Sequence, residues 1–343
     1  MTHFRTSCTG LTLIVLAASG GCGPSRTAPF SPSTSPRDTR VMVKPPESVA
    51  VESLLKGRRL ADEGRAREAL IEFERAIENN PLLVGAHLAA GDLYMQQGDT
   101  QMAAVRFERA SSLAPGSFDA QFKYGQALQV LGQLVDAVRQ YLKALAIKPN
   151  DFQANMNLGV AYLQLNEPEN ALRYADRAVK ISPRDGQART NLASVYSALN
   201  RHEEAVAEYL QSIELMPVSP EVLLNLADSL SKAGQFEQAI NTLEQVVRTD
   251  PSAAAYERLG TAHFRIRRYD EAEQAFRKAM EIDPNHYPAL NGVAVCLLNK
   301  YIWGDYAEDS YRAEAVRLII RSTNIERRQP RIQALYDRYK SPR

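Results

Sequence analysis

Residues 118–149, FDAQFKYGQALQVLGQLVDAVRQYLKALAIKP, carry apolar and small side chains at helical spacing in two runs. Tyr124, Leu128 and Leu131 mark the first run, and Ala137, Tyr141, Ala144 and Ile147 the second. Gly132 interrupts the pattern and Pro149 ends it. The segment therefore predicts two antiparallel helices of about three turns each, joined by a very short turn. Neither helix can bury its apolar stripe alone, so the hairpin needs neighbours on both sides.

The same hairpin recurs. Proline returns at Pro81, Pro115, Pro149, Pro183, Pro217 and Pro251, 34 residues apart, and at Pro284 after 33. A small residue returns in each first helix, at Gly57, Gly91, Gly125, Gly159, Ala193, Ala227 and Gly260. Alanine returns early in each second helix, at Ala69, Ala103, Ala137, Ala171, Ala205, Ala239 and Ala272. These columns are expected where paired helices cross most closely, because a larger side chain would push them apart. Large residues fill the gaps: Tyr94, Leu128, Tyr162, Tyr196 and Leu230 in one column, Phe73, Phe107, Tyr141, Tyr209 and Phe276 in another. The columns resemble those of the tetratricopeptide repeat (TPR) family across residues 50–284, in seven units. The resemblance implies an all-α superhelix that holds other proteins; the periodicity by itself predicts only stacked hairpins.

Gly64, Gly98, Gly132 and Gly234 fall at the turns inside hairpins, and Asn166 and Asn200 replace glycine in two others. Asparagine is the next-best residue for a left-handed turn. Glu72, outside the columns, is expected on the outer face.

Beyond Pro284 the pattern loosens into a degenerate eighth unit over 285–343. A first helix is expected over 290–298, with Ala294 in the small-residue column, then a helix over about 311–322. Pro330 follows Pro284 by 46 residues, twelve more than one repeat. The inserted stretch holds the only tryptophan, Trp303, with Tyr301, Tyr306 and Tyr311. One reading is an aromatic plug over the end of the stack, followed by a capping helix over 331–339, which repeat arrays need for solubility. The other is a contact loop, since aromatics are favoured at interaction hot spots. The fold expected is thus an α-solenoid of about eight hairpins with a C-terminal cap.

The start of the chain differs in composition. Arg5 precedes a largely apolar stretch over 11–18, and Ser19, Gly20 and Gly21 lead into Cys22. That stretch is too short to span a bilayer and reads as a cleaved export signal over 1–21. Small residues before a cysteine resemble the bacterial lipoprotein cleavage site, which implies that Cys22 is acylated and becomes the mature N-terminus. Ser19 stands where that family usually has leucine, so soluble secretion is the alternative. Residues 22–49 contain Pro24, Pro29, Pro32, Pro36, Pro45 and Pro46 with almost nothing to bury, and are expected to be a disordered tether. At ~3.1 Å per residue its reach is at most ~80 Å. The cysteines are Cys8, Cys22 and Cys296. On this reading Cys8 would leave with the signal and Cys22 would carry lipid, so no intramolecular disulfide is expected. Cys296, in GVAVCLL, reads as an inert buried residue.

A net charge of +1 leaves no basic excess to argue for nucleic acid. No phosphate-binding glycine-rich loop, HExxH or metal-spaced cysteine pair occurs, so no catalytic residue, cofactor or metal is expected. His87 and His263 fall at helical packing positions and read as core or edge residues.

The informative residues are those of the first helices that the columns do not use. They are Lys123 and Gln126; Gln153, Asn157 and Gln164; Gln187, Asn191, Ser194 and Ser197; Asn225, Asp228 and Lys232; Arg258 and Arg265. In the TPR family this face lines the concave groove, which implies that these residues meet a peptide. Asn157, Asn191 and Asn225 share one column. They resemble the asparagine ladder in the TPR region of O-linked N-acetylglucosamine transferases, where side-chain amides hold an extended peptide backbone; the catalytic half of such an enzyme is absent. The family's chaperone-binding carboxylate clamp is incomplete. Asn225 and Arg258 match two members, but Thr190 stands in place of a lysine and Ser194 in place of an asparagine. Lys123, Arg258 and Arg265 are expected to favour an acidic segment. Alternatives are a merely solvated polar face, or a glycan site with Phe122 and Phe264 as stacking platforms. The function expected is a non-enzymatic protein-binding scaffold, exported and tethered at an envelope membrane. It resembles the bacterial TPR lipoproteins that assist assembly of envelope machines such as pilus or cell-wall complexes.

Overall fold

The computed structural model describes residues 45–304 and 308–341. The expected export signal, Cys22 and most of the tether lie outside the described residues. The described chain is all α-helical. Seven hairpins follow one another: α1 (Pro46–Asp62) with α2 (Ala66–Asn79), α3 (Val84–Gln96) with α4 (Thr100–Leu113), α5 (Phe118–Val130) with α6 (Leu134–Ile147), α7 (Phe152–Gln164) with α8 (Pro168–Ile181), α9 (Gly186–Ala198) with α10 (His202–Leu215), α11 (Pro220–Lys232) with α12 (Phe236–Thr249), and α13 (Ala253–Arg265) with α14 (Tyr269–Ile282). An eighth pair, α15 (Tyr287–Trp303) and α16 (Asp309–Ile325), precedes α17 (Pro330–Tyr339). Each helix packs on the next, and successive first helices also touch one another. Successive second helices make no contact of comparable extent, so the first helices line the tighter, inner side of the stack.

The sequence columns have a direct packing cause. A Cβ added at Gly57, Gly91, Gly125 or Gly260 would lie 2.5 to 2.8 Å from a ring carbon of Phe73, Phe107, Tyr141 or Phe276 respectively. The absent side chain is the space the ring occupies, and each pair is 16 residues apart. In the fourth hairpin the ring is replaced by Ala175, and a Cβ at Gly159 would meet the Ala175 backbone nitrogen at 3.2 Å. There the helices close backbone to backbone. Ala227 is paired instead with the buried Leu243, which combines a methyl group with a slimmer partner.

A further column has no single residue type. Six residues after four successive prolines, a side-chain N–H donates to that proline's carbonyl oxygen: His87 Nε2 at 3.0 Å, Gln121 Nε2 at 3.2 Å, Asn155 Nδ2 at 3.1 Å and Arg189 Nε at 2.9 Å. Each satisfies a carbonyl that the proline turn leaves without a helical partner.

The hairpin turns use the left-handed region, with Gly64, Gly98, Gly132 and Gly234 at φ of +73° to +80° and Asn166 and Asn200 at +59°. In the seventh hairpin the same place is taken by Arg267 at +63°, a residue with neither glycine's freedom nor asparagine's local hydrogen bonding.

Three expectations are corrected. Residues 46–49, assigned to the tether, are helical, because Pro46 stands at the first position of α1, where its fixed φ suits a helix start. Glu72 is buried, not on the outer face: it turns back across the hairpin to Lys56 at 2.5 Å. The extra residues after Pro284 largely lengthen helices, α15 and α16 having 17 residues each against 13 and 14 in α13 and α14. Tyr301 is buried in the last core, and α17 closes it with Tyr339. Arg312 Nη1 donates to the Tyr339 carbonyl at 2.9 Å and fixes that cap.

Candidate functional site

Lys123, Asn157, Asn191, Asn225 and Arg258 hold one register on α5, α7, α9, α11 and α13, and Gln126, Ser194 and Asp228 hold the next. All lie on first helices, the helices of the inner side, and none of them is fully buried. The three asparagines are not equivalent. Asn157 is half-buried and hydrogen-bonds the Tyr141 hydroxyl. That hydroxyl donates to Gln129 Oε1 at 2.8 Å, and Gln129 Nε2 donates to Gln164 Oε1 at 2.9 Å. Burial pushes the Tyr141 hydroxyl far above its ordinary range, against the opposing bond from Asn157, so it stays a neutral donor. Asn191 accepts from Gln187 Nε2 at 3.1 Å, one turn back on α9. Asn225 is exposed, and its amide has no hydrogen-bond partner among the described residues. Gln153 is likewise exposed. The row thus passes from an anchored amide on α7 to an open one on α11.

The charges differ from expectation. Lys123 pairs with Asp92 on α3, one hairpin back, so it is not free to select an acidic segment. The two residues belong to adjacent registers of neighbouring first helices, which brings them together. Asp228 is held by Lys232 at 2.8 Å on the same helix. Arg265 lies over the Phe236 ring at 5.2 Å, and neither it nor Arg258 pairs with a carboxylate among the described residues. At the other end of the face is a cleft of about 400 Å³ whose walls include Arg58, Asp62, Leu88, Asp92, Asp119 and Lys123. Most of these residues lie in the first two units, which lack the amide pattern of the later helices.

Of the two stacking candidates, Phe122 is stacked on Phe118 at 5.5 Å and tilted on Tyr141 at 5.8 Å, which engages its ring within the protein. Phe264 meets Tyr269 edge-on at 5.2 Å, and Tyr269 in turn meets the exposed Trp303 at 4.6 Å. His87 and His263 are buried, and burial holds both imidazoles below the ordinary value, hence neutral at pH 7. Burial pushes the Cys296 thiol up to about 12, which removes its nucleophilic thiolate at neutral pH. Among the described residues no group of His, Cys, Asp and Glu is placed to hold a metal ion.

Comparison with known proteins accords with this architecture. The sequence matches the tetratricopeptide repeat family over residues 54–110, 156–220 and 224–287, and a TPR repeat over 125–166. The chain belongs to the tetratricopeptide repeat family. That membership makes it a protein–protein interaction scaffold. No curated protein matches the sequence. A tetratricopeptide repeat protein from Parabacteroides merdae ATCC 43184 is similar in structure, with a TM-score of 0.52 at 20% identity, covering 73% of this chain and 99% of that one. Pseudomonas aeruginosa pilF is similar with a TM-score of 0.53 at 16% identity, covering 63% of this chain and 98% of that one. Both likenesses concern the fold.

Proposed function

We propose that the inner face holds an extended segment of a partner protein, and that the chain is exported and anchored to an envelope membrane through an acylated Cys22. The observation that carries the first part is the placing of Asn157, Asn191 and Asn225 at one register on three successive inner helices. A carboxamide both donates and accepts, so it matches one peptide unit whatever the side chain attached to that unit. A row of amides at hairpin spacing is therefore a backbone reader. The exposed Gln153 and Gln187 on the same helices extend its reach. A photo-crosslinking residue at Gln153 or Gln187 should capture a partner, and mass spectrometry should map the adducts to one contiguous segment. A crosslinker at Gln274, exposed on the second helix α14, should not capture that segment. Capture from Gln274 alone would refute the inner-face reading.

The anchoring part rests on the apolar stretch over 11–18 and the small residues before Cys22. A fatty acyl chain contributes ~0.8 kcal/mol per buried methylene, so two or more chains hold a protein stably on a bilayer. Cys22→Ser should release the protein from membranes or leave it unprocessed. Equal membrane recovery of the two forms, with no lipid on the wild type, would refute it.

A further inference from the structure

We propose that the inner face contains an apolar pocket between α13 and α15 that takes one aliphatic or aromatic side chain of an acidic extended segment. This rests on the peptide-holding reading above and specifies what the segment carries. The pocket has a volume of about 180 Å³ and is lined by Thr261, Phe264, Phe276, Asn291, Gly292 and Val295. Phe276 belongs to the second helix α14 but reaches the inner side, because both flanking first helices lack a side chain at its level. A Cβ on Gly260 would lie 2.7 Å from its ring, and one on Gly292 2.6 Å. Gly292 stands 34 residues after Arg258, in the register that carries Lys123 and the three asparagines. Where α7, α9 and α11 present an amide, α15 presents an opening. An apolar cavity of about 150 Å³ accommodates benzene, so this pocket has room for a leucine or phenylalanine side chain.

Charge at the pocket names the rest of the segment. Arg258 and Arg265 lie three residues before and four after Thr261, on one stripe of α13, about 10 Å apart along the axis at ~1.5 Å per residue. Neither has a carboxylate partner among the described residues, whereas Lys123, Lys232 and Lys300 on the first helices are each paired. The carboxylate beside the pocket, Glu257, accepts a hydrogen bond from Thr261 Oγ1 at 2.9 Å. An apolar anchor with acidic residues on both sides would fill the opening and meet both guanidinium groups.

The test uses the full chain and three short fluorescein-labelled peptides in a Gly/Ser background. One has glutamates on both sides of a central leucine, the second has alanine in place of the leucine, and the third has lysines in place of the glutamates. Anisotropy titration should show the first binding at least about tenfold tighter than either other, the scale expected for burying a leucine side chain. Thr261→Phe, at an exposed position on the pocket wall, should abolish the preference for leucine over alanine and keep that for glutamate over lysine. Arg258→Glu combined with Arg265→Glu should do the reverse, with circular dichroism showing both variants folded. Equal affinity for the leucine and alanine peptides, or a leucine preference that survives Thr261→Phe, overturns the pocket. If that equal binding is still lost in Asn191→Ala with Asn225→Ala, the inner-face reading stands without the pocket. Failure of all three peptides to bind also overturns it, while crosslinking from Gln153 and Gln187 judges the inner face separately.

Discussion

Ring and glycine form a complementary pair in four of the seven hairpins, while the fifth sets Ala193 against Tyr209, and the pairing is testable one residue at a time. Gly91→Ala adds a Cβ 2.5 Å from the Phe107 ring. Alanine's better helix propensity returns ~1 kcal/mol, but overpacking typically costs ~1–3 kcal/mol, so thermal stability should fall. Phe107→Leu alone leaves a void. The combination recreates the native pairing of Ala227 with Leu243, and the double variant should be more stable than the sum of the single changes by about 1 kcal/mol or more. Additive losses in a denaturation cycle would contradict the pairing. The two columns were legible in the sequence because seven repetitions separate a packing constraint from chance. The donors to the proline carbonyls were not, because histidine, glutamine, asparagine and arginine all make the same bond and so form no column of identity. The pairing of Lys123 with Asp92 was also hidden, since it joins residues of different registers across hairpins.

Arg267 poses the opposite case, a residue unsuited to the conformation it occupies. The left-handed region costs an L-residue ~1–2 kcal/mol, part of which glycine gives back as unfolded-state entropy. Arg267→Gly should therefore raise stability by about 0.5–1 kcal/mol. An unchanged or lower melting midpoint would mean that the Arg267 side chain stabilises the turn in some other way.

At the scale of elements, the hairpins differ in how their ends are secured. The inner helices α5, α7, α9, α11 and α13 each have a serine or aspartate side chain accepting from the backbone N–H three residues on. The outer helices α6, α8, α10, α12 and α14 lack such a cap and rely on packing. The face that carries the amides is thus built on the better-secured helices, which keeps its register fixed. The last junction is secured by charge. Glu273 on α14 is buried between Lys300 on α15 at 2.9 Å and Arg277 at 2.7 Å, and Arg277 continues to Glu314 on α16 at 2.9 Å. Burial pushes the Glu273 carboxyl up, but Lys300 and Arg277 outweigh burial and hold it below its ordinary value. A carboxyl whose folded value is depressed stabilises fully above its unfolded value, near 4.5 here, and loses that contribution as pH falls through the folded value. The melting difference between wild type and Glu273→Gln should accordingly be largest at neutral pH and shrink as pH drops below about 4.5. A difference constant with pH would show that the charge of Glu273 is not what secures the junction. This network could not be foreseen, because α15 and α16 outgrow the repeat and the columns give no register there.

The described residues form a row of units in which each hairpin packs on its neighbours, so the inner face is assembled from side chains far apart in sequence but equally spaced. Its two ends are chemically different. The first helices α1, α3 and α5 place acids and bases together, as Asp62, Asp92 and Asp119 with Arg58 and Lys123, whereas α13 offers Arg258 and Arg265 without carboxylate partners. Between them runs the amide row. Its existence was legible from three asparagines at a fixed interval; the difference among its rungs was not, because it depends on whether Tyr141 or Gln187 already occupies the amide. Asn225 is the open rung, and Asn191 has only its Oδ1 taken, by the exposed Gln187 on its own helix. The half-buried Asn157 is engaged by Tyr141 of the preceding hairpin, so Asn191 and Asn225 are the pair to test. At ~0.5–1.5 kcal/mol per hydrogen bond, the two together account for ~1–3 kcal/mol of binding. The most direct measurement is titration calorimetry of the crosslink-identified segment against wild type and Asn191→Ala with Asn225→Ala, with circular dichroism as the fold control. The account predicts retained helicity and an affinity weakened roughly fivefold to a hundredfold. Unchanged affinity with intact helicity would contradict it and reduce the amide row to a solvated face.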